Sequence, residues 1–165
     1  RELKVFSRGE DVPRSPIDIH RVLDQCLAMV DSEVRHRARI TREYGCKGNV
    51  LGNEARLGQV FLNLLVNALQ ALPEGDIEGN EVRVVTRPGG PGQVIIEICD
   101  TGSGIPENIR ERIFEPFFTT KAPGVGTGLG LSISHHLVTG LGGTIAIDPR
   151  GGRGTTFRVT LGGDR

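Results

Sequence analysis

Asn63 and Asn67 lie four residues apart within an apolar repeat, so a helix stacks them on one side. A side-chain carbonyl there suits a hard cation such as Mg²⁺, which takes oxygen ligands and keeps several waters. Taken alone, two boundary asparagines that bond a loop are the plainer reading. Asp100 ends the run Val94-Ile95-Ile96-Glu97-Ile98-Cys99-Asp100. In a strand it shares a face with Val94, Ile96 and Ile98, so a carboxylate closes an apolar row. A carboxylate facing a core needs a donor. The exocyclic amine of a purine would serve, with its ring on the apolar side chains. An Asx-turn onto Gly102 would also satisfy it. Gly102 and Gly104 allow a ligand close to the backbone.

Glycines 124, 126, 128 and 130 run into a helix, where exposed amides suit phosphate. The preceding segment is a loop containing Pro123 rather than a strand, which argues against a Rossmann loop. No Walker motif occurs anywhere in the chain. A flexible hinge remains open for this stretch. Phe114, Phe117 and Phe118 precede Thr119, Thr120 and Lys121. That arrangement fits anchors for a lid with a lysine in reach of phosphate, or simple packing beside a solvated lysine. His20, His36, His135 and His136 read as surface or satisfied histidines, and Cys99 as packing.

The elements that must position these groups are legible in part. Residues 1–16 are polar, with Pro13 and Pro16, and read as a linker. Asp18 caps a predicted helix reaching Arg35. Ala38–Tyr44 and Asn49–Leu51 read as strands. Asn53 caps a helix over Glu54–Leu72, whose stripe of Leu57, Val60, Phe61, Leu64, Leu65, Ala68, Leu69 and Leu72 faces a core. Strands are expected at Glu81–Thr86, Gln93–Asp100, Thr144–Ile147 and Thr155–Leu161. Helices are expected near Glu107–Ile113 and Gly128–Val138. The mixture predicts an α+β fold, an α/β sandwich with helices on one face of one mixed sheet.

Composition excludes several classes. The 165 residues suit one domain, with 20 basic and 20 acidic side chains in balance. A neutral chain has no global electrostatic footprint for nucleic acid. No apolar run approaches a membrane span, and no signal peptide is visible. Three scattered cysteines disfavour a disulfide framework and fit a reducing compartment. The histidines lack partners at zinc-ligand spacing. Arg1 in place of Met leads us to expect a piece of something longer.

Together the motifs fall in a specific order. Asn63–Asn67 resembles an N box, Asp100-Thr-Gly-Ser-Gly-Ile-Pro106 a G1 box, Phe114–Lys121 an F box, and Gly126-Thr-Gly-Leu-Gly130 a G2 box. In this order they resemble the catalytic ATP-binding domain of two-component sensor histidine kinases, of the GHKL superfamily with its Bergerat fold. FLNLLVNALQAL, FEPFFTTK and GTGLGLSIS are most similar to the nitrogen-regulation type. The resemblance covers roughly residues 16–162.

The resemblance implies a mixed, mostly antiparallel sheet, ATP and Mg²⁺ as cofactors, and a γ-phosphate passed to a histidine on a separate domain. Asn67 would hold Mg²⁺, and Asn63 would assist at the phosphates. Asp100 would read the adenine amine, with Gly102, Gly104, Ile105 and Phe114 near the base and Thr155 in support. Gly126, Thr127, Gly128, Leu129 and Gly130 would wrap the phosphates. Thr120 and Lys121 would belong to the ATP lid, residues 116–127.

The superfamily's hydrolytic members carry a glutamate general base where Asn63 stands, and an amide cannot deprotonate water. That favours transfer over hydrolysis. Gln70 and Ala71 occupy the turn where related kinases often carry a basic residue. Residues 1–16 would be the end of a dimerisation helix with its linker, and 17–165 the catalytic domain. The implied partners are the protein's own dimerisation and phosphoacceptor domain and a response regulator. This chain is expected to be monomeric and cytoplasmic, within a homodimeric protein either anchored to a membrane or soluble. Two rivals remain: an ATPase clamp of the same superfamily, and a degenerate docking module without ATP affinity.

Overall fold

The computed structural model describes residues 13–118, 130–148 and 153–163. Its elements are β1 (Ser15–Asp18), α1 (Ile19–Met29), α2 (Asp31–Val34), β2 (Arg39–Tyr44), β3 (Asn49–Gly52), α3 (Glu54–Ala71), β4 (Glu81–Pro88), β5 (Gln93–Asp100), α4 (Gly130–Gly140), β6 (Thr144–Ile147) and β7 (Thr155–Gly162). A short 3₁₀ turn spans Glu107–Ile109.

Five strands form one sheet in the order β2-β4-β5-β7-β6. The β2–β4 pair is parallel, and the other three pairs are antiparallel. A parallel pair needs a long crossover. Here β3 and α3 supply it, which carries α3 across one face of the sheet. β1 pairs with β3 as a separate antiparallel ribbon, bridged to the end of the chain through Val50 and Gly163.

One face of the sheet and three helices enclose the core. Leu57, Val60, Phe61, Leu64 and Leu65 of α3 are wholly buried, as are Val82, Val84, Ile96 and Val159 of the strands. The opposite face is polar and carries Glu97, Arg87 and Arg158. An antiparallel sheet covered on one side alternates in this way.

The helix starts follow their caps. Asp18 Oδ1 accepts the His20 and Arg21 amides at 3.0 and 3.4 Å, and Asn53 Oδ1 accepts the Arg56 amide at 3.1 Å. The first helix does not run unbroken to Arg35. It stops at Met29, and Val30 takes φ −101°, ψ 5°. A separate turn begins at Asp31, where the Glu33 and Val34 amides both reach the Val30 carbonyl. Asp31 and Ser32 are weak helix formers, and the Asp31 carboxylate pairs with Arg35 Nε at 3.2 Å. The expected linker is also shorter than residue 16, because Ser15 and Pro16 already pair with Gly52 and Leu51. The helix expected near Glu107–Ile113 is a single 3₁₀ turn. No helix among the described residues is long and apolar enough to cross a membrane.

Candidate functional site

Asp100 ends β5 opposite Val82 of β4 and Thr155 of β7. It is 5% exposed. Its Oδ1 accepts the Gly102 amide at 2.8 Å and the Thr155 amide at 3.3 Å. Among the described residues neither bond uses Oδ2. Burial pushes its pKa up from 3.8 to about 6, and the two amide donors pull it down without cancelling that. A carboxylate in this state gains from one more donor. The Asx-turn onto Gly102 uses Oδ1 and leaves Oδ2 outside it.

Glycines set the walls around this carboxylate. A Cβ on Gly102 would overlap the Ala71 carbonyl at the end of α3, and the Ser103 amide donates to that same carbonyl at 3.3 Å. Gly154 has φ +85°, and a Cβ there would run into the Asp100 carbonyl. Gly104 has φ +80°, with its Cβ position 3.2 Å from the Gly154 carbonyl. The turns before and after the site thus pack backbone against backbone, which only glycine permits. Ile105 is half-buried, and its carbonyl accepts from Arg110 Nε at 3.3 Å. Gly154 was not among the residues expected at the site. Its signal was a glycine directly preceding the strand that pairs with Asp100.

α3 links this end of the site to the other. Asn63, Asn67 and Ala71 fall on successive turns, so about 12 Å of helix separates the first from the last. Asn63 Nδ2 donates to the Gly130 carbonyl at 3.3 Å and to Ser134 Oγ at 3.4 Å. Both acceptors lie on α4. The structure thus brings Asn63 to the start of α4, and Ala71 to Gly102 and Ser103. Asn67 stands between them, half-buried.

Among the described residues no group of three or more His, Cys, Asp or Glu side chains is placed to hold a metal. Asn67 would contribute one neutral amide oxygen. Such a donor would suit Mg²⁺ only if the metal arrived with phosphates, since Mg²⁺ prefers oxygen ligands.

Phe114 packs edge-on to Phe157, with ring centroids 6.3 Å apart, and tilts against His135 at 5.4 Å. Phe118 lies under the Arg112 guanidinium, 4.6 Å from its ring centre. Phe117 is 73% exposed and holds φ +67°, so the three rings do not form one cluster. Thr120, Lys121, Gly126, Thr127, Gly128 and Leu129 lie outside the described residues. His20 is occupied elsewhere: it stacks on Tyr44 at 4.1 Å and shares a hydrogen bond with Thr86 Oγ1 at 2.7 Å.

The family described as "Histidine kinase-, DNA gyrase B-, and HSP90-like ATPase" matches residues 52–164. The sensor kinase CckA of Brucella abortus is 35% identical over 98% of this chain and 18% of its own length. The sensory histidine kinase/phosphatase NtrB of Rhizobium meliloti is 36% identical over 96% of this chain and 44% of its own length. The chain thus spans less than half of either relative. Among solved structures, a mycobacterial sensor histidine kinase, MprB, superposes with a TM-score of 0.80 at 30% identity, covering 92% of this chain and 98% of that one. Full-length ShkA in complex with AMPPNP gives a TM-score of 0.82 at 26% identity, covering 96% of this chain and 33% of that one. The chain belongs to the histidine kinase-, DNA gyrase B- and HSP90-like ATPase family, as the ATP-binding domain of a sensor histidine kinase.

Proposed function

We propose that this chain binds Mg–ATP and presents the γ-phosphate to a histidine on a separate dimerisation domain of its own protein. The observation that carries the reading is Asp100. A buried carboxylate with one oxygen bound by backbone and the other without a donor among the described residues suits an adenine amine. Gly102, Gly104 and Ile105 would flank the base, with Phe114 and Thr155 in support. Asn67 would hold Mg²⁺, which would supply charge neutralisation at the phosphates. The α4 N-terminus would turn its backbone amides toward phosphate. Gly126 to Gly130 and Lys121 extend that role in sequence. Asn63 carries an amide and cannot act as a general base, so transfer is favoured over hydrolysis. Positioning and charge stabilisation then supply most of the catalysis.

The downstream partner would be a response regulator. We place the domain in the cytoplasm, as a monomer when alone and within a homodimer in the whole protein. The test is calorimetric titration with a non-hydrolysable ATP analogue, with and without Mg²⁺. Saturable binding strengthened by Mg²⁺ supports the reading. A folded chain that binds no adenine nucleotide overturns it and favours a docking module.

A further inference from the structure

Ser134 is a serine with no exposed surface, on the second turn of α4. Nothing in its local sequence marks it. Its hydroxyl lies 3.4 Å from Asn63 Nδ2, and the same nitrogen reaches the Gly130 carbonyl at 3.3 Å. Residues 130 and 134 are one turn apart, so a single amide spans both. A backbone carbonyl can only accept, so the edge of Asn63 facing α4 must be its NH₂. Both of its N–H groups are then committed to α4. Ser134 is small enough to admit Asn63 to the helix surface and polar enough to bond it. The Cβ position of Gly130 is 4.0 Å from Asn63 Cγ, an ordinary contact, so backbone crowding does not set this approach.

We infer that Asn63 and Ser134 form a clasp that fixes the first turn of α4 against α3, and that Ser134 is a positioning residue for nucleotide phosphates. This rests on the nucleotide-binding reading above. The clasp joins the two elements that would share the polyphosphate: the N-terminus of α4, with its amides, and α3, with Asn67 one turn beyond Asn63. The adenine end depends on other contacts, namely Asp100, Gly102, Gly154 and Thr155. Loosening the clasp therefore weakens the hold on the β- and γ-phosphates and leaves the base untouched. Asn63 then serves the phosphates through α4 rather than as a ligand itself.

The experiment compares a non-hydrolysable ATP analogue with AMP, both with Mg²⁺, on the wild-type chain, Ser134→Ala, Asn63→Ala and the double variant. Expected is a loss of about three- to tenfold in analogue affinity for Ser134→Ala, the worth of one hydrogen bond. AMP affinity should not change. The double variant should lose no more than Asn63→Ala alone, because one clasp is being opened. Equal losses for AMP and the analogue would make Ser134 a packing residue and overturn the inference. Additive losses in the double variant would overturn it too. If Ser134→Ala does not fold, Asn63→Ala opens the same clasp from its half-buried side, and its analogue-to-AMP ratio decides. A wild-type chain that binds neither ligand overturns the nucleotide reading itself.

Discussion

Asp100 and Glu97 stand three residues apart on β5 and face opposite sides of the sheet. Both carboxylates are buried, at 5% and 6% exposure. Their surroundings differ in kind. Glu97 Oε2 accepts from Arg158 Nε at 2.9 Å and Arg87 Nη2 at 3.2 Å, and Arg158 continues to Asp148 Oδ2 at 2.8 Å. Burial alone would raise its pKa, but the two guanidinium groups overcome that and hold it below the usual glutamate range. Among the described residues Asp100 has only neutral amide donors, and burial wins. The first is a completed ion-pair network. The second, among the described residues, is held through one oxygen by two amides. Burial without a charged partner fits the binding role proposed for Asp100, whereas completed pairing fits a structural one for Glu97.

The largest expected effect tests that binding role. Asp100→Asn should weaken the ATP analogue by about ten- to a hundredfold, since a charge-assisted bond is lost and an NH₂ group now faces the adenine amine. The same variant should make the nucleotide-free domain more stable. A shift from 3.8 to about 6 corresponds to a destabilisation of up to about 3 kcal/mol at neutral pH. The sign follows from the raised value. Below pH 4 both states are protonated and nothing is lost. Between pH 4 and 6 the folded state resists ionisation, so stability falls as pH rises. Melting temperatures of variant and wild type should converge at acid pH and separate above pH 6. Analogue binding to the wild type should weaken about tenfold per unit below pH 6, as protonation competes with the amine. A variant that melts lower than wild type at pH 8 would break the comparison.

Gly154→Ala comes next. The backbone there holds φ +85°, and the added methyl meets the Asp100 carbonyl. We expect a loss of about 1–3 kcal/mol in unfolding free energy. Base binding should weaken as well, because Thr155 follows directly and its amide holds Asp100. A chemical-denaturation midpoint equal to wild type would show that this backbone contact carries no weight.

Glu97→Gln should destabilise by about 1–2 kcal/mol at neutral pH, a figure reduced because Arg87 and Arg158 remain partly exposed. Its pH sign is opposite to that of Asp100. A lowered folded pKa gives stability that is present above the ordinary glutamate value and lost as pH falls through the folded one. The difference between Glu97→Gln and wild type should shrink on acidification. Nucleotide affinity should not change. A large loss of affinity here would dissolve the contrast between the two faces.

The sequence made α3 and β5 legible because each repeats strongly, at 3.6 and at 2 residues, over a long run. That placed Asn63, Asn67 and Asp100 in their elements. The break at Val30 was not legible, since Ile19, Val22, Leu23, Leu27, Val30 and Val34 keep helical spacing across it and all are buried. β1 was hidden by Pro13 and Pro16, which read as linker but are tolerated at a ribbon edge. Ser134 left no local trace, because its partner lies 71 residues earlier. A contact between two helices depends on how they pack, which no single-helix period encodes.

The smallest effect serves as a control on the whole comparison. Gly58 lies inside α3, and a Cβ there would meet nothing within 4 Å. Alanine in its place removes the glycine penalty in a helix interior, worth about 0.5–1 kcal/mol. Gly58 sits on neither face of the sheet. Gly58→Ala should therefore raise the melting temperature by the same increment at pH 5 and pH 8, where Asp100→Asn and Glu97→Gln diverge. Equal increments would show that the pH dependence of the other two variants belongs to their carboxylates. An increment that varied with pH would mean that general stability, rather than local charge, governs the profiles, and the contrast between Asp100 and Glu97 would lose its physical basis.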